Sequence, residues 1–253
     1  MQKQMKRTTF ILGTLLLFSL AINVKYALSS RKAVNNVNAT SSSANLQSNA
    51  RDSIETKYGI PRQQYATEQS WMNCILKLGI QSDVVFYGDS HSRWSDFRQY
   101  FPDVSICNLG LSGDNLNGFI RRIGMIQQVQ PKKIFFMGGV NRSGTTSLEE
   151  YRLKYDILFS AIIDSLPKAR LYIQSMLPLN PCVYDKYCDN DKVKQINAIQ
   201  KDVANKYGLT YIDLYSVYAK DDILPMEVSR DGIHLKFEEY QKWAEAIKPY
   251  IYE

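Results

Sequence analysis

The chain has 253 residues, 45% hydrophobic and 22% charged, enough for a sizeable core and ordinary for a folded globular protein. Its net charge is +6, but four of the positive charges, Lys3, Lys6, Arg7 and Lys25, fall in residues 1–30, which hold no acid. The rest of the chain is near +2, too little to hold a polyanion, so nucleic acid is excluded as a partner class.

The chain opens on a basic leader, MQKQMKR, followed by the uncharged, mainly apolar stretch FILGTLLLFSLAINV. Fifteen residues are short for a membrane span and suit the apolar region of a signal peptide. Residues 1–29 are therefore expected to be a signal peptide, with a retained membrane anchor as the alternative, and the body of the protein to be exported. Residues 30–51 are rich in Ser, Asn and Ala without apolar periodicity, which predicts a flexible linker. Asn38-Ala39-Thr40 within it matches a glycosylation sequon.

A folded domain is expected over 52–253. Short apolar runs recur at 83–88, 103–110, 132–139, 169–176 and 209–214. They are mostly continuous rather than alternating, the pattern of parallel strands buried on both faces. Helical periodicity separates or follows them. Val193, Ile196, Ile199, Val203 and Tyr207 share one face of a helix that Gly208 should stop. Phe237, Tyr240, Trp243, Ala244 and Ile247 predict an amphipathic last helix. Alternating strands and helices imply right-handed crossovers. The expected fold class is α/β, a three-layer α/β/α sandwich around a five-stranded parallel sheet of flavodoxin-like type.

Four cysteines allow three pairings if all are oxidised. Cys182 and Cys188 lie in a turn-like segment where an exported protein could form a local disulfide. Cys107 falls in an apolar run and is expected to be a buried small hydrophobe. None has a histidine at ligand spacing, so no metal site is expected.

In open α/β sheets the chemistry collects at the carboxyl ends of the strands. The segments to inspect are therefore GDSHS (88–92), NLGLSGDN (108–115), GGVNR (138–142) and SRDGIHLKF (229–237). Ser90 stands at a strand-to-helix turn, where its own N–H and the helix start face any developing negative charge. Asp231 and His234 have a spacing that lets a carboxylate orient an imidazole acting as general base. Each feature also has a plain structural reading: Gly-Asp before a helix is common capping sequence, and Asp-Gly is a common turn.

Taken together, GDS, a glycine after the second strand, G-x-N after the third and D-x-x-H near the end resemble the SGNH (GDSL-type) hydrolase family over residues 83–247. The resemblance implies Ser90 as nucleophile and Asp231 and His234 as its partners. It implies an oxyanion hole from the Ser90 N–H, the Gly113 N–H and the Asn141 side-chain amide. It also implies a cofactor-free, metal-independent serine esterase. Exported members act on acylated carbohydrates, so the expected partner is a small-molecule or glycan ester, with O-acetyl as the acyl group. A lysophospholipase or thioesterase, an acyltransferase and a non-catalytic glycan-binding protein are alternatives on the same fold.

His91, directly after the nucleophile, is expected to point away from it, to lack an orienting carboxylate, and to pack or cap near the helix start. Arg142 stands where many relatives have Asp. It either contacts an anionic substrate group or is salt-bridged on its loop. Trp94, one helical turn beyond Ser90, lines the cleft or joins the core. Tyr184 and Tyr187 are further candidates for the rim.

Overall fold

The computed structural model describes residues 62–253. The expected leader, the linker and the Asn38 sequon lie outside the described residues. In chain order the elements are α1 (Arg62–Lys77), β1 (Val84–Gly88), α2 (Ser90–Arg93), α3 (Phe97–Tyr100), β2 (Ile106–Asn108), α4 (Leu116–Arg121) and α5 (Ile123–Val129). They continue with β3 (Lys133–Met137), α6 (Leu148–Ser165), β4 (Arg170–Gln174), α7 (Asn190–Lys206), β5 (Thr210–Ile212), α8 (Tyr215–Tyr218) and α9 (Tyr240–Tyr252).

Each of the five apolar runs contains one strand, and the strands pair in parallel in the order β2-β1-β3-β4-β5. Val85 lies opposite Cys107 on one side and Ile134 on the other, and Ile134 opposite Leu171. Because side chains alternate along a strand, the apolar residues divide between two faces. Val85, Tyr87, Ile134, Phe136 and Ile173 pack with residues of α1 and α4–α7, such as Phe119, Tyr155 and Val193. Val84, Phe86, Phe135, Met137 and Tyr172 pack with Phe97 of α3, Tyr218 of α8 and Trp243 of α9. Continuous apolar strands are thus explained by helices covering both faces. The expected three-layer sandwich is the observed fold.

Local signals fix the helix ends. Ser147 caps α6 by accepting from the Glu150 N–H (3.2 Å), and Asp189 caps α7 by accepting from the Lys192 N–H (2.9 Å). Gly208 follows α7 at φ +65°, the left-handed stop the sequence predicts. Among the described residues no helix is long and apolar enough to cross a membrane.

Two expectations are corrected. Phe237 is not on the buried face of the last helix: it sits on the 3₁₀ turn Phe237–Glu239 before α9 and is 60% exposed. Cys182 and Cys188 are separate thiols. Cys182 is exposed on the 3₁₀ turn Pro181–Val183 and lies against Gly232, whereas Cys188 is buried in the core. The turn between them separates the two sulfurs into different environments. Cys107 is buried, as expected, and burial pushes its thiol pKa up.

The strand order reverses at β1: the chain goes from β1 to the edge strand β2, then crosses back to β3 on the other side. The carboxyl ends of β1 and β3 therefore border the crevice where such sheets place ligands.

Candidate active site

Ser90 is delivered by a turn with no spare room. A Cβ on Gly88, the last residue of β1, would lie 2.4 Å from the Met137 carbonyl oxygen and 2.3 Å from Ser92 Oγ, so only glycine fits. Asp89 caps the following helix by accepting from the His91 N–H at 3.0 Å. On the β2 side, Asn108 donates to the carbonyls of Ser92 (2.7 Å) and Ser95 (2.9 Å), fixing the far end of this short helix. Ser90 itself is buried, and His234 Nε2 stands 2.9 Å from its Oγ.

His234 belongs to a tight loop folded back on itself, with the Arg230 N–H donating to the His234 carbonyl at 2.9 Å and a bridge between Ser229 and Leu235. Asp231 Oδ1 accepts from the backbone N–H groups of Ile233 (3.1 Å) and His234 (2.8 Å). Its Oδ2 lies 2.7 Å from His234 Nδ1. D-x-x-H spacing thus holds both carboxylate oxygens in a single turn. Gly232 supplies φ +89° between them, and its missing Cβ leaves room for Cys182 and Val183.

These contacts set the charges. Burial works against the Asp231 carboxylate, but the bonds from the His234 ring and the two backbone N–H groups outweigh it and hold its pKa well below the usual range. His234 is pulled below its ordinary 6.5, first by burial, with Asp231 opposing and the neighbouring His91 adding to the fall. The imidazole is therefore neutral at pH 7. With Nδ1 bonded to the carboxylate and carrying the proton, Nε2 is left to accept from Ser90.

Across the crevice, Asn141 is buried after β3, and one N–H of its amide donates to the Asp114 carbonyl at 2.8 Å. Gly113 adopts φ +74° just before Asp114. Among the described residues neither the Ser90 nor the Gly113 backbone N–H has a protein acceptor. The loop that holds them is fastened from below by Arg122. This buried side chain donates to Asp114 Oδ2 (2.5 Å), the Leu109 carbonyl (2.6 Å) and the Gly88 carbonyl (2.8 Å), and stacks 4.2 Å over the Tyr87 ring. Glu68 of α1 accepts from the Ser112 N–H (2.9 Å) and hydroxyl (3.1 Å) in the same loop.

The other candidates sort as follows. Arg142 adopts the left-handed region at φ +69°, its carbonyl accepts from the Thr145 hydroxyl (3.3 Å), and among the described residues its guanidinium forms no ion pair. Trp94 is half-buried with its ring 4.1 Å from that of His234. Tyr184 and Tyr187 are half-buried against the core. His91 is buried, as expected near the helix start, but it does have a carboxylate partner. Asp89 Oδ1 lies 3.1 Å from its Nδ1, which the two-residue spacing on a capping turn concealed.

Sequence reasoning missed three contributors. The Asp114–Arg122 pair spans eight positions across the whole of α4, and the His91–Ile233 contact spans 142. Arg230 sits inside the inspected SRDGIHLKF segment, yet no pattern there reveals that its guanidinium lies over Trp94. Among the described residues no cluster of His, Cys, Asp and Glu could hold a metal ion.

The model of the GDSL-like Lipase/Acylhydrolase family matches residues 52–242. The chain belongs to that family. Solved structures it resembles include a Streptococcus pneumonia protein provisionally described as a platelet activating factor, at 19% identity and TM-score 0.67, covering 75% of this chain and 94% of that one. A GDSL-like lipase from Bacteroides thetaiotaomicron matches at 18% identity and TM-score 0.59, covering 75% and 96%. An acetyl xylan esterase matches at 14% identity and TM-score 0.56, covering 66% and 98%. At these identities the likeness is one of fold. No curated protein sequence matches the chain.

Proposed function

We propose that the protein is an exported serine esterase that removes O-acyl groups, O-acetyl first among them, from a carbohydrate, through an acyl-enzyme on Ser90. The observation that carries this reading is the continuous line of bonds from the Asp231 carboxylate through the His234 ring to the Ser90 hydroxyl, 2.7 Å and then 2.9 Å.

His234 Nε2 takes the Ser90 proton as Oγ attacks the ester carbonyl carbon. The tetrahedral oxyanion is received by the Ser90 N–H, the Gly113 N–H and the Asn141 amide, whose orientation is fixed by the bond to the Asp114 carbonyl. Collapse of the intermediate breaks the bond to the alcohol oxygen, to which His234 returns the proton. Water then attacks the acyl-enzyme, giving a proton to His234, which passes it to Ser90 Oγ as the Oγ–acyl bond breaks and the acid leaves.

A half-buried indole beside His234 is a surface on which a sugar ring packs well, and an acetyl xylan esterase is among the proteins of similar fold. The Arg142 guanidinium, with no ion-pair partner among the described residues, can meet an anionic substrate group. Export follows from the basic leader and its apolar stretch.

The test is turnover of p-nitrophenyl acetate, butyrate and octanoate by the full-length protein and by Ser90→Ala. Acetate should be the best of the three, with its turnover lost in the variant. Turnover rising with chain length would replace acetyl by a lipid acyl group. Absence of turnover beyond that of the variant would contradict the hydrolase reading.

A further inference from the structure

The wall of the site beside His234 is a stack of alternating rings and charge. The Trp94 ring lies 4.1 Å from the His234 ring, the Arg230 guanidinium lies 4.7 Å from the Trp94 ring centre, and the same guanidinium lies 5.1 Å from the exposed ring of Phe237. Arg230 and His234 are also neighbours in the folded loop, joined through the Arg230 N–H and the His234 carbonyl.

The Arg230 guanidinium packs near both the Trp94 and the Phe237 rings and carries five N–H donors in one plane. Among the described residues Arg230 forms no ion pair and no side-chain hydrogen bond, and the adjacent Asp231 carboxylate is turned to His234. A guanidinium packed near two rings, with no described residue engaging its N–H donors, is arranged for an acceptor from outside.

Its position says which part of a substrate it would meet. His234 must hand its proton to the leaving oxygen, so the alcohol part of the ester lies on the His234 side of the crevice. The acyl oxygen turns toward Gly113 and Asn141. Resting on the acyl-enzyme reading above, we infer that Arg230, held between Trp94 and Phe237, is an anion subsite for the alcohol part of the substrate. The natural ester is thus one whose alcohol carries a carboxylate or a phosphate.

The experiment compares acetate esters of matched phenols: 4-acetoxybenzoate, 4-acetoxyphenyl phosphate and the neutral methyl 4-acetoxybenzoate. The ratio of kcat/KM for each anionic ester to that for the neutral one is measured in the unaltered protein, Arg230→Gln and Arg230→Lys. Arg230→Gln should lower the ratio roughly 10-fold through KM, and Arg230→Lys should retain part of it by charge alone. Which anion shows the larger ratio identifies the carboxylate or the phosphate. An unchanged ratio in Arg230→Gln, with both kinds of ester equally slowed or equally unaffected, would overturn the subsite.

Calorimetric binding of the uncleaved 4-acetoxybenzoate and its methyl ester to Ser90→Ala separates this claim from the hydrolase reading. Preference for the anion, abolished by Arg230→Gln, supports the subsite even if no ester is turned over. Equal binding of the two esters overturns it even if turnover is efficient.

Discussion

His91 Nε2 lies 2.9 Å from the carbonyl oxygen of Ile233, the residue immediately before His234. The same ring, through Nδ1, meets Asp89, the residue immediately before Ser90. One buried side chain therefore ties the Ser90 turn to the loop that carries His234. Both partners are acceptors, so both bonds exist together only when the ring is an imidazolium.

Replacing His91 by Leu removes the tie and leaves the Asp89 carboxylate buried without its cation. Breaking a buried pair from one side typically costs about 3–5 kcal/mol, and an ångström of misplacement at the reacting centre about 10²-fold in rate. His91→Leu should show both losses, in urea unfolding and in kcat on p-nitrophenyl acetate. His91→Gln, which keeps a donor, should recover part of the rate.

The tie is pH-dependent. Burial pushes the His91 pKa down, but the bonds and charge of Asp89 and the Ile233 carbonyl outweigh it, and the value is raised above 6.5. A raised histidine contributes its full stability below the unfolded value and loses it as pH rises through the folded one. The gap in melting temperature between the unaltered protein and His91→Leu should shrink as pH rises above 6.5. His234, with its pKa lowered chiefly by burial, has the opposite sign: its contribution is lost as pH falls below 6.5.

With His234 as the proposed base, its lowered pKa predicts the acid limb of activity: kcat/KM should fall with a midpoint below 6.5, the ordinary histidine value. Asp231→Asn should lower kcat by up to roughly 10⁴-fold, because the amide no longer fixes the tautomer or stabilises the imidazolium. Initial-rate profiles from pH 4 to 8 check both.

At the oxyanion side, Asn141→Ala should cost about 10²–10³-fold in kcat with little change in KM. Arg122→Met should act from beneath. It strands Asp114 and removes the donor from the Leu109 and Gly88 carbonyls, at about 3–5 kcal/mol of stability. Adding Asp114→Leu should recover part of that loss, since no buried charge then remains unpaired; chemical unfolding of the single and double variants measures it.

Much of the architecture was legible because it depends on local pattern. Continuous apolar runs mark strands covered on both faces, and Gly208 marks a helix end wherever tertiary contacts fall. Ser90, Asp231, His234 and Asn141 stand where strand ends and turn chemistry predict them. What was hidden depends on contacts distant in the chain. Phe237 matches the helical period of α9 yet lies before its first turn, against Arg230. The helix α1 is hard to read from sequence because most of its apolar residues bunch at 71–76 rather than repeat at helical period, and of these only Met72 and Leu76 are buried. The carboxylate of His91 was two residues away and concealed because Asp89 reads as a cap; it both caps the helix and pairs with the ring.

The most direct measurement is the mass of the intact protein after rapid acid quench during turnover of p-nitrophenyl acetate, with the modified peptide sequenced. An acetyl group on Ser90, absent in Ser90→Ala and lost or strongly reduced in His234→Ala, which lacks the base that acylation needs, is the predicted result. Ester turnover with no adduct on Ser90 in any of these proteins, or an adduct on another residue, would contradict the serine acyl-enzyme account.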